Sequence, residues 1–262
     1  MRRLAYLFFG TVLLCQPAVA DIVAADNADN DPYPATGFLP GDNGGTGFLA
    51  WVELEVGNPG SMHTTAAIDN GSYSWALDGS YALGRGLSNS LSTGTWRLLA
   101  VHDPDNTDFS GFNLRASTNT TGGFSQSELI RFGMDPSQPG YDGSGIYVST
   151  NAGLSYLFLD CGWSDGEGDT IEYRISWTGT GSFSLLVSNR NEGVVTNFSG
   201  LMPAGTVAML GVAVFGSSLD EGITFDDYQV ENVIPEPATG LLLAGSLILL
   251  TRCLRSRPGL PP

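Results

Sequence analysis

The chain of 262 residues carries a net charge of −16, 35 glycines, 14 prolines and three cysteines, and it contains no lysine. Its length suits one sandwich or barrel domain, its 42% hydrophobic content excludes a disordered chain, and its glycines follow no G-X-Y period, which excludes collagen. Residues 21–234 hold six arginines against 26 carboxylates, a net charge of −20 that repels phosphate backbones and excludes nucleic acid as a partner.

The first segment, "MRRLAYLFFGTVLLCQPAVA", has a basic start, an apolar stretch from Leu4 to Leu14 and the small-x-small pattern Ala18-Val19-Ala20. This is the layout of a secretory signal peptide over residues 1–20, with cleavage expected before Asp21 and export by the Sec machinery. The run is too short for a stable membrane span. Cys15 follows the bulky Leu14, which does not suit a lipoprotein signal.

Residues 21–232 read as one secreted β-domain. Short runs rich in β-branched and aromatic residues are separated by Gly, Asn, Asp and Ser clusters. Strands are expected in "GFLAWVELEV", "MHTTAAID", "SYSWAL", "TWRLLAVHD", "GFNLRAS", "ELIRFGM" and "GIYVST". They continue in "LSYLFLDC", "TIEYRISW", "GSFSLLVS", "VVTNF", "TVAMLGVAVFG" and "GITFDDYQV". In "TIEYRISW" the alternation puts Ile171, Tyr173, Ile175 and Trp177 on one face and Glu172, Arg174 and Ser176 on the other. No segment of the domain sustains a helical period, so two packed antiparallel sheets are expected. Trp51, Trp96 and Trp177 lie within strand patterns and are expected in the core. Cys161, alone in the domain between apolar and acidic neighbours, is expected to be a buried, inert thiol.

The chain closes on "IPEPATGLLLAGSLILLTRCLRSRPGLPP". Pro235 and Pro237 stop a helix from extending backward. The apolar run Gly240–Leu250 rises 1.5 Å per residue and covers about half of a ~30 Å hydrocarbon core, while Ala238–Leu254 approaches the lower limit for a transmembrane helix. Arg252, Arg255 and Arg257 would stay cytoplasmic, with the acidic domain outside. A buried C-terminal helix of the domain is the alternative, and the arginine cluster argues against it.

Together Pro235-Glu236-Pro237, the short apolar helix and the arginine cluster resemble the PEP-CTERM sorting signal of bacterial exported proteins, over residues 233–257. The resemblance implies processing near the tripeptide by an exosortase-type membrane protease, after transient membrane anchoring. Delivery to the cell surface or the extracellular polysaccharide matrix would follow. Residues 258–262 extend beyond the arginines, where such tails usually stop. The strand plan in turn resembles the concanavalin-like jelly-roll sandwich of lectins and glucanases. The expected fold is therefore all-β, an antiparallel two-sheet sandwich, with a signal peptide before it and one short transmembrane helix after it.

Three kinds of chemistry are open. Glu53 and Glu55 in "WVELEV" share one strand face, as the paired carboxylates of a jelly-roll glycoside hydrolase do. That family's pattern is Glu-x-Asp-x-Glu, and only two acids stand here. Asp160, Asp165, Glu167 and Asp169 in "DCGWSDGEGDT" offer the hard oxygen ligands that Ca²⁺ takes, with glycines for a tight turn. "HDPDNTD" (Asp103, Asp105, Asp108) and "DNADND" (Asp26, Asp29, Asp31) offer further carboxylates. Trp163, in a polar loop, is the aromatic candidate for stacking on a glycan. With only His63 and His102 and no G-x-S-x-G elbow, a nucleophilic triad is not expected. The favoured role is a non-catalytic surface or matrix protein that binds Ca²⁺ or glycan, and the alternative is a secreted hydrolase using Glu53 and Glu55.

Overall fold

A computed structural model describes residues 20–33, 38–69, 71–103, 105, 107–150, 156–219 and 222–232. The predicted sorting motif (Pro235, Glu236, Pro237, Arg252, Arg255 and Arg257) and the signal-peptide residue Ala18 lie outside the described residues. So does the expected transmembrane helix.

Among the described residues, thirteen strands follow one another along the chain. They are β1 (Asp21–Asp26), β2 (Phe48–Ala66), β3 (Tyr73–Leu91), β4 (Thr93–His102), β5 (Ser110–Arg115), β6 (Glu128–Met134) and β7 (Gly145–Ser149). Then come β8 (Leu157–Asp160), β9 (Thr170–Thr178), β10 (Ser182–Asn189), β11 (Val194–Leu201), β12 (Val207–Phe215) and β13 (Gly222–Asn232). Every pairing is antiparallel. The ladder runs β11-β10-β9-β4-β13-β3-β12-β5-β6-β7-β8, with β1 added to β13 and β2 to β3.

This ladder folds back on itself at β3, whose outer edge is held by β2 along most of its length. Its other edge is shared: Trp75–Asp78 pair with β13, and Ser80–Leu91 pair with β12. The change of partner falls at Gly79, whose φ of +68° is a left-handed conformation that suits glycine. On the neighbouring β2 the register slips between Val56 and Gly60, so both strands of the hairpin bend together. One layer is then β11-β10-β9-β4-β13, the other is β12-β5-β6-β7-β8, and the long hairpin serves both.

Side chains from the two layers meet face to face. Trp96 of β4 packs edge-on against Phe112 of β5 with ring centroids 5.6 Å apart, and Tyr173 of β9 lies 5.4 Å from Phe132 of β6. On β9 and β10 burial alternates residue by residue, as a sheet with one wet face requires. Strands β5, β6 and β7 are instead buried along their whole length. Residues 116–127 explain the difference for β5 and β6. This loop seats Phe124 on a second apolar cluster with Leu54, Ala82, Phe109, Met209 and Ala213. Arg115 anchors it by donating to the carbonyls of Asn119, Gly123 and Gln126. Full burial of a phenylalanine is worth about 1.5–3 kcal/mol.

Candidate functional site

The loops that follow β4, β6 and β8 gather at one end of the sandwich. Gly168 N donates to His102 O at 2.7 Å, Gly166 N to Gly143 O at 2.9 Å and Cys161 N to Ser144 O at 3.1 Å. The turn after β10 joins them, where the Glu192 carboxylate accepts from Ser164 N and from Ser164 Oγ at 2.7 Å. Gly143 has a φ of +78°, and a Cβ there would meet Asp165 Oδ1 at 2.6 Å, so a side chain would push the loops apart.

The four carboxylates predicted for Ca²⁺ are used differently from one another. Asp160 Oδ1 accepts from Gly162 N at 2.8 Å, Asp165 Oδ1 from Glu167 N at 3.0 Å, and Asp169 Oδ2 from Asn189 Nδ2 at 2.7 Å. Glu167 is the focus of this end. Burial pushes its carboxyl up, the neighbouring Tyr141 hydroxyl pulls it down, and repulsion from Asp165, Asp103 and Asp105 pushes it up again. The fold thus brings Asp165 and Glu167 toward Asp103 and Asp105 of the loop after β4, a grouping that their sequence separation hides. Among the described residues, no three His, Cys, Asp or Glu side chains are disposed to hold a metal ion between them.

Trp163 is a correction to the sequence reading. Its indole is only 3% exposed, belongs to the main core, and donates from Nε1 to Gly143 O at 2.7 Å. A ring covered on both faces offers a glycan nothing to stack on. The sequence signal was misleading because the polar residues around Trp163 fold over it. Trp51, Trp96 and Trp177 are buried as expected, and Trp75 is as well. Cys161 is buried and free, with burial raising its thiol to about 12.

Glu53 and Glu55 are both exposed on β2, flanking the buried Leu54. A register slip between them separates their settings. Glu53 Oε2 accepts from the Tyr81 hydroxyl at 2.9 Å, whereas Glu55 Oε2 faces Phe124 N of the covering loop at 3.5 Å.

Two polar groups lie inside the domain with partners that the local sequence does not reveal. Arg85 is fully buried against Asp26, itself 4% exposed, and also donates to Tyr33 Oη, Asn43 Oδ1 and Gly44 O. Burial lowers its guanidinium to about 9. A lone arginine in "ALGRGLS" gave no hint that Asp26, 59 residues earlier, would meet it. The second group is His102, with Nδ1 2.7 Å from Ser110 Oγ and Nε2 2.8 Å from the Tyr173 hydroxyl. Burial lowers the imidazole to about 3, so this residue is neutral, closed off from solvent and unsuited to nucleophilic chemistry.

All six arginines of the domain are committed. Arg85, Arg115 and Arg131 are buried. Arg97 and Arg190 pair with Glu172, Arg190 also with Asp69, and Arg174 with Glu231. At the loop end described above, the loops after β4, β6 and β8 hold no basic side chain among their described residues, and Arg190 of the turn after β10 is paired with Asp69 and Glu172.

No family model matches the chain. No curated protein is similar to it in sequence. Solved structures share the sandwich at low identity. A carbohydrate esterase from the Shiga toxin-encoding bacteriophage phi24B is 14% identical, with 82% of this chain and 100% of that chain covered and a TM-score of 0.50. Domain 4 of an extracellular arabinanase from Geobacillus stearothermophilus is 15% identical, with 82% and 93% covered and a TM-score of 0.47. Lectin II from Ulex europaeus is 12% identical, with 80% and 98% covered and a TM-score of 0.45. At such identities the likeness is one of fold.

Proposed function

We propose that this protein is an exported, non-catalytic β-sandwich of the cell surface or extracellular matrix that binds neutral polysaccharide. We infer that divalent cations, Ca²⁺ first, gather at its acidic loop end. The observation that carries this reading is the commitment of every arginine in the domain. With three cations buried and three paired, the surface offers uncompensated carboxylates and hydroxyls and no free basic group. Such a surface repels nucleic acids and anionic glycans and accepts hard cations and hydroxyl donors. The exposure of Glu53 and Glu55, each held by its own partner, supports a binding role over hydrolysis. Binding of a neutral-glycan array in CaCl₂ and in EDTA tests the reading; absence of binding in both buffers overturns it. For the cation, a melting temperature that is the same in CaCl₂ and in EDTA removes Ca²⁺, because a ligand of the folded state must raise stability.

Export rests on residues 1–20, read by the Sec machinery. Sorting rests on Pro235, Glu236, Pro237, Arg252, Arg255 and Arg257, read by an exosortase-type protease. Replacing Pro235-Glu236-Pro237 with alanines should leave the chain unprocessed in the membrane fraction. Unchanged processing and location would refute recognition of the motif.

A further inference from the structure

Strand β13 changes partner along one edge. Gly222–Phe225 pair with Asp78–Trp75 of β3, and Tyr228–Asn232 pair with Asp26–Asp21 of β1. Between these stretches Asp226 and Asp227 have no strand beside them on that edge, and on the opposite edge the register with β4 slips between Asp226 and Gln229. The break leaves a pocket of about 140 Å³ bordered by Asp26, Asn27, Asn30, Asp227 and Gln229. This is room for several waters, which a polar ligand would displace.

Buried side chains pin the backbone around the pocket. Asp226 Oδ1 accepts from Ala28 N at 3.0 Å and from Asp227 N at 2.8 Å. Asp26 Oδ1 accepts from Asn30 Nδ2 at 2.7 Å, while its other oxygen is taken by Tyr33 and Arg85. Four groups remain unengaged among the described residues: the Asp227 carboxylate, Asn30 Oδ1, Gln229 Oε1 and Asn27 Nδ2. Three accept and one donates. Asp227 has a φ of +58°, in the left-handed region that disfavours side chains, so a strained residue places the one free carboxylate at the pocket.

We propose that this gap binds one neutral sugar residue of a polysaccharide. Its hydroxyls donate to Asp227, Asn30 and Gln229, and one of them accepts from Asn27. The inference rests on the polysaccharide-binding role proposed above and gives it a location. A charge of −20 over residues 21–234 turns away uronic acids and sulfated sugars. Arg85 neutralises Asp26 and two backbone amides take up Asp226, so Asp227 is the one carboxylate lining the pocket that is left to a ligand, few for Ca²⁺ with its demand for six to eight oxygens. Hydroxyl groups, which donate and accept, match three acceptors and one donor.

The test compares the full-length wild-type chain with Asp227→Gly and Gln229→Ala on an array of neutral oligosaccharides, with melting temperatures in parallel. Glycine keeps the left-handed backbone, so Asp227→Gly leaves the fold intact. Both variants should melt like the wild type and bind the array ligand about tenfold more weakly, the loss of one strong hydrogen bond. Variants that bind as well as the wild type overturn the site and leave polysaccharide binding standing. A wild type that binds no glycan overturns both. Stabilisation by CaCl₂ that Asp227→Gly abolishes makes a cation the occupant and overturns the sugar.

Discussion

Nε2 of His102 lies 2.8 Å from the hydroxyl of Tyr173 in a part of the core closed to solvent, with Nδ1 held 2.7 Å from Ser110 Oγ. Both ring nitrogens are satisfied without a proton to spare, so the imidazole is neutral. The unfolded chain gains a proton near pH 6.5 that the folded chain refuses until about pH 3. The contribution of His102 is therefore intact above pH 6.5 and is lost as pH falls, by about 1.4 kcal/mol per pH unit below 6.5. Urea unfolding at pH 7.0 and 5.0 measures it. NMR shifts of the His102 ring that move between pH 7 and 5 would refute the neutral assignment.

Asp226 works in the opposite direction. Burial raises its carboxyl to about 6, against a pull downward from the Asp227 and Ala28 amides. Its ionisation costs stability as pH rises from about 3.8 through 6, so acidification from pH 7 relieves that cost. Asp226→Asn keeps an acceptor for Ala28 N and Asp227 N. It should stabilise the protein at pH 7 by of order 1–3 kcal/mol and make the acid loss steeper, because His102 then acts without its counterweight. An unchanged pH profile in the variant counts against the raised pKa.

The buried pair of Arg85 and Asp26 is asymmetric under mutation. Arg85→Met leaves Asp26 buried without its cation and should cost about 3–5 kcal/mol. Arg85→Met combined with Asp26→Asn should recover much of that loss, since the unpaired charge is what hurts. Denaturant melts of the single and double variants decide this; equal losses would mean that packing, not charge, sets the cost.

Trp163→Ala should destabilise by about 3–5 kcal/mol, as removal of a core aromatic does. Trp163→Phe keeps the packing and gives up the bond to Gly143 O, at about 1 kcal/mol. If the alanine variant melts like the wild type and loses only glycan binding, the indole is a surface platform after all.

Glu53→Gln and Glu55→Gln should each change stability by no more than about 0.5 kcal/mol, as exposed substitutions do. Neither should alter glycan binding. Release of reducing sugar by the wild type that vanishes in either variant would restore the hydrolase reading.

Most strands were legible because alternation with a period of two is written locally. "ELIRFGM" coincides with β6, and "TIEYRISW" is β9 short of its last residue. Two pieces were missed. "DIVAAD" forms β1 through pairing with β13, which is more than 200 residues away. The second half of β3, "GSYALGRGLSNSL", reads as turns because its glycines and serines mask a strand held on both edges. The acid- and glycine-rich loops also drew attention to Asp165 and Glu167, and the fold adds Asp103 and Asp105 to them.

By itself the sequence determined the all-β class, the antiparallel alternation and the acidic charge of residues 21–234. Each is a property of composition or of neighbours a few residues apart. Tertiary structure alone decided that Trp163 is core and that Arg85 faces Asp26. It also placed Asp226 against Ala28 N, 198 positions away, beside a gap where β13 changes partner. Those relationships depend on which strand edges meet and where a bulge falls, and no local pattern encodes long-range register.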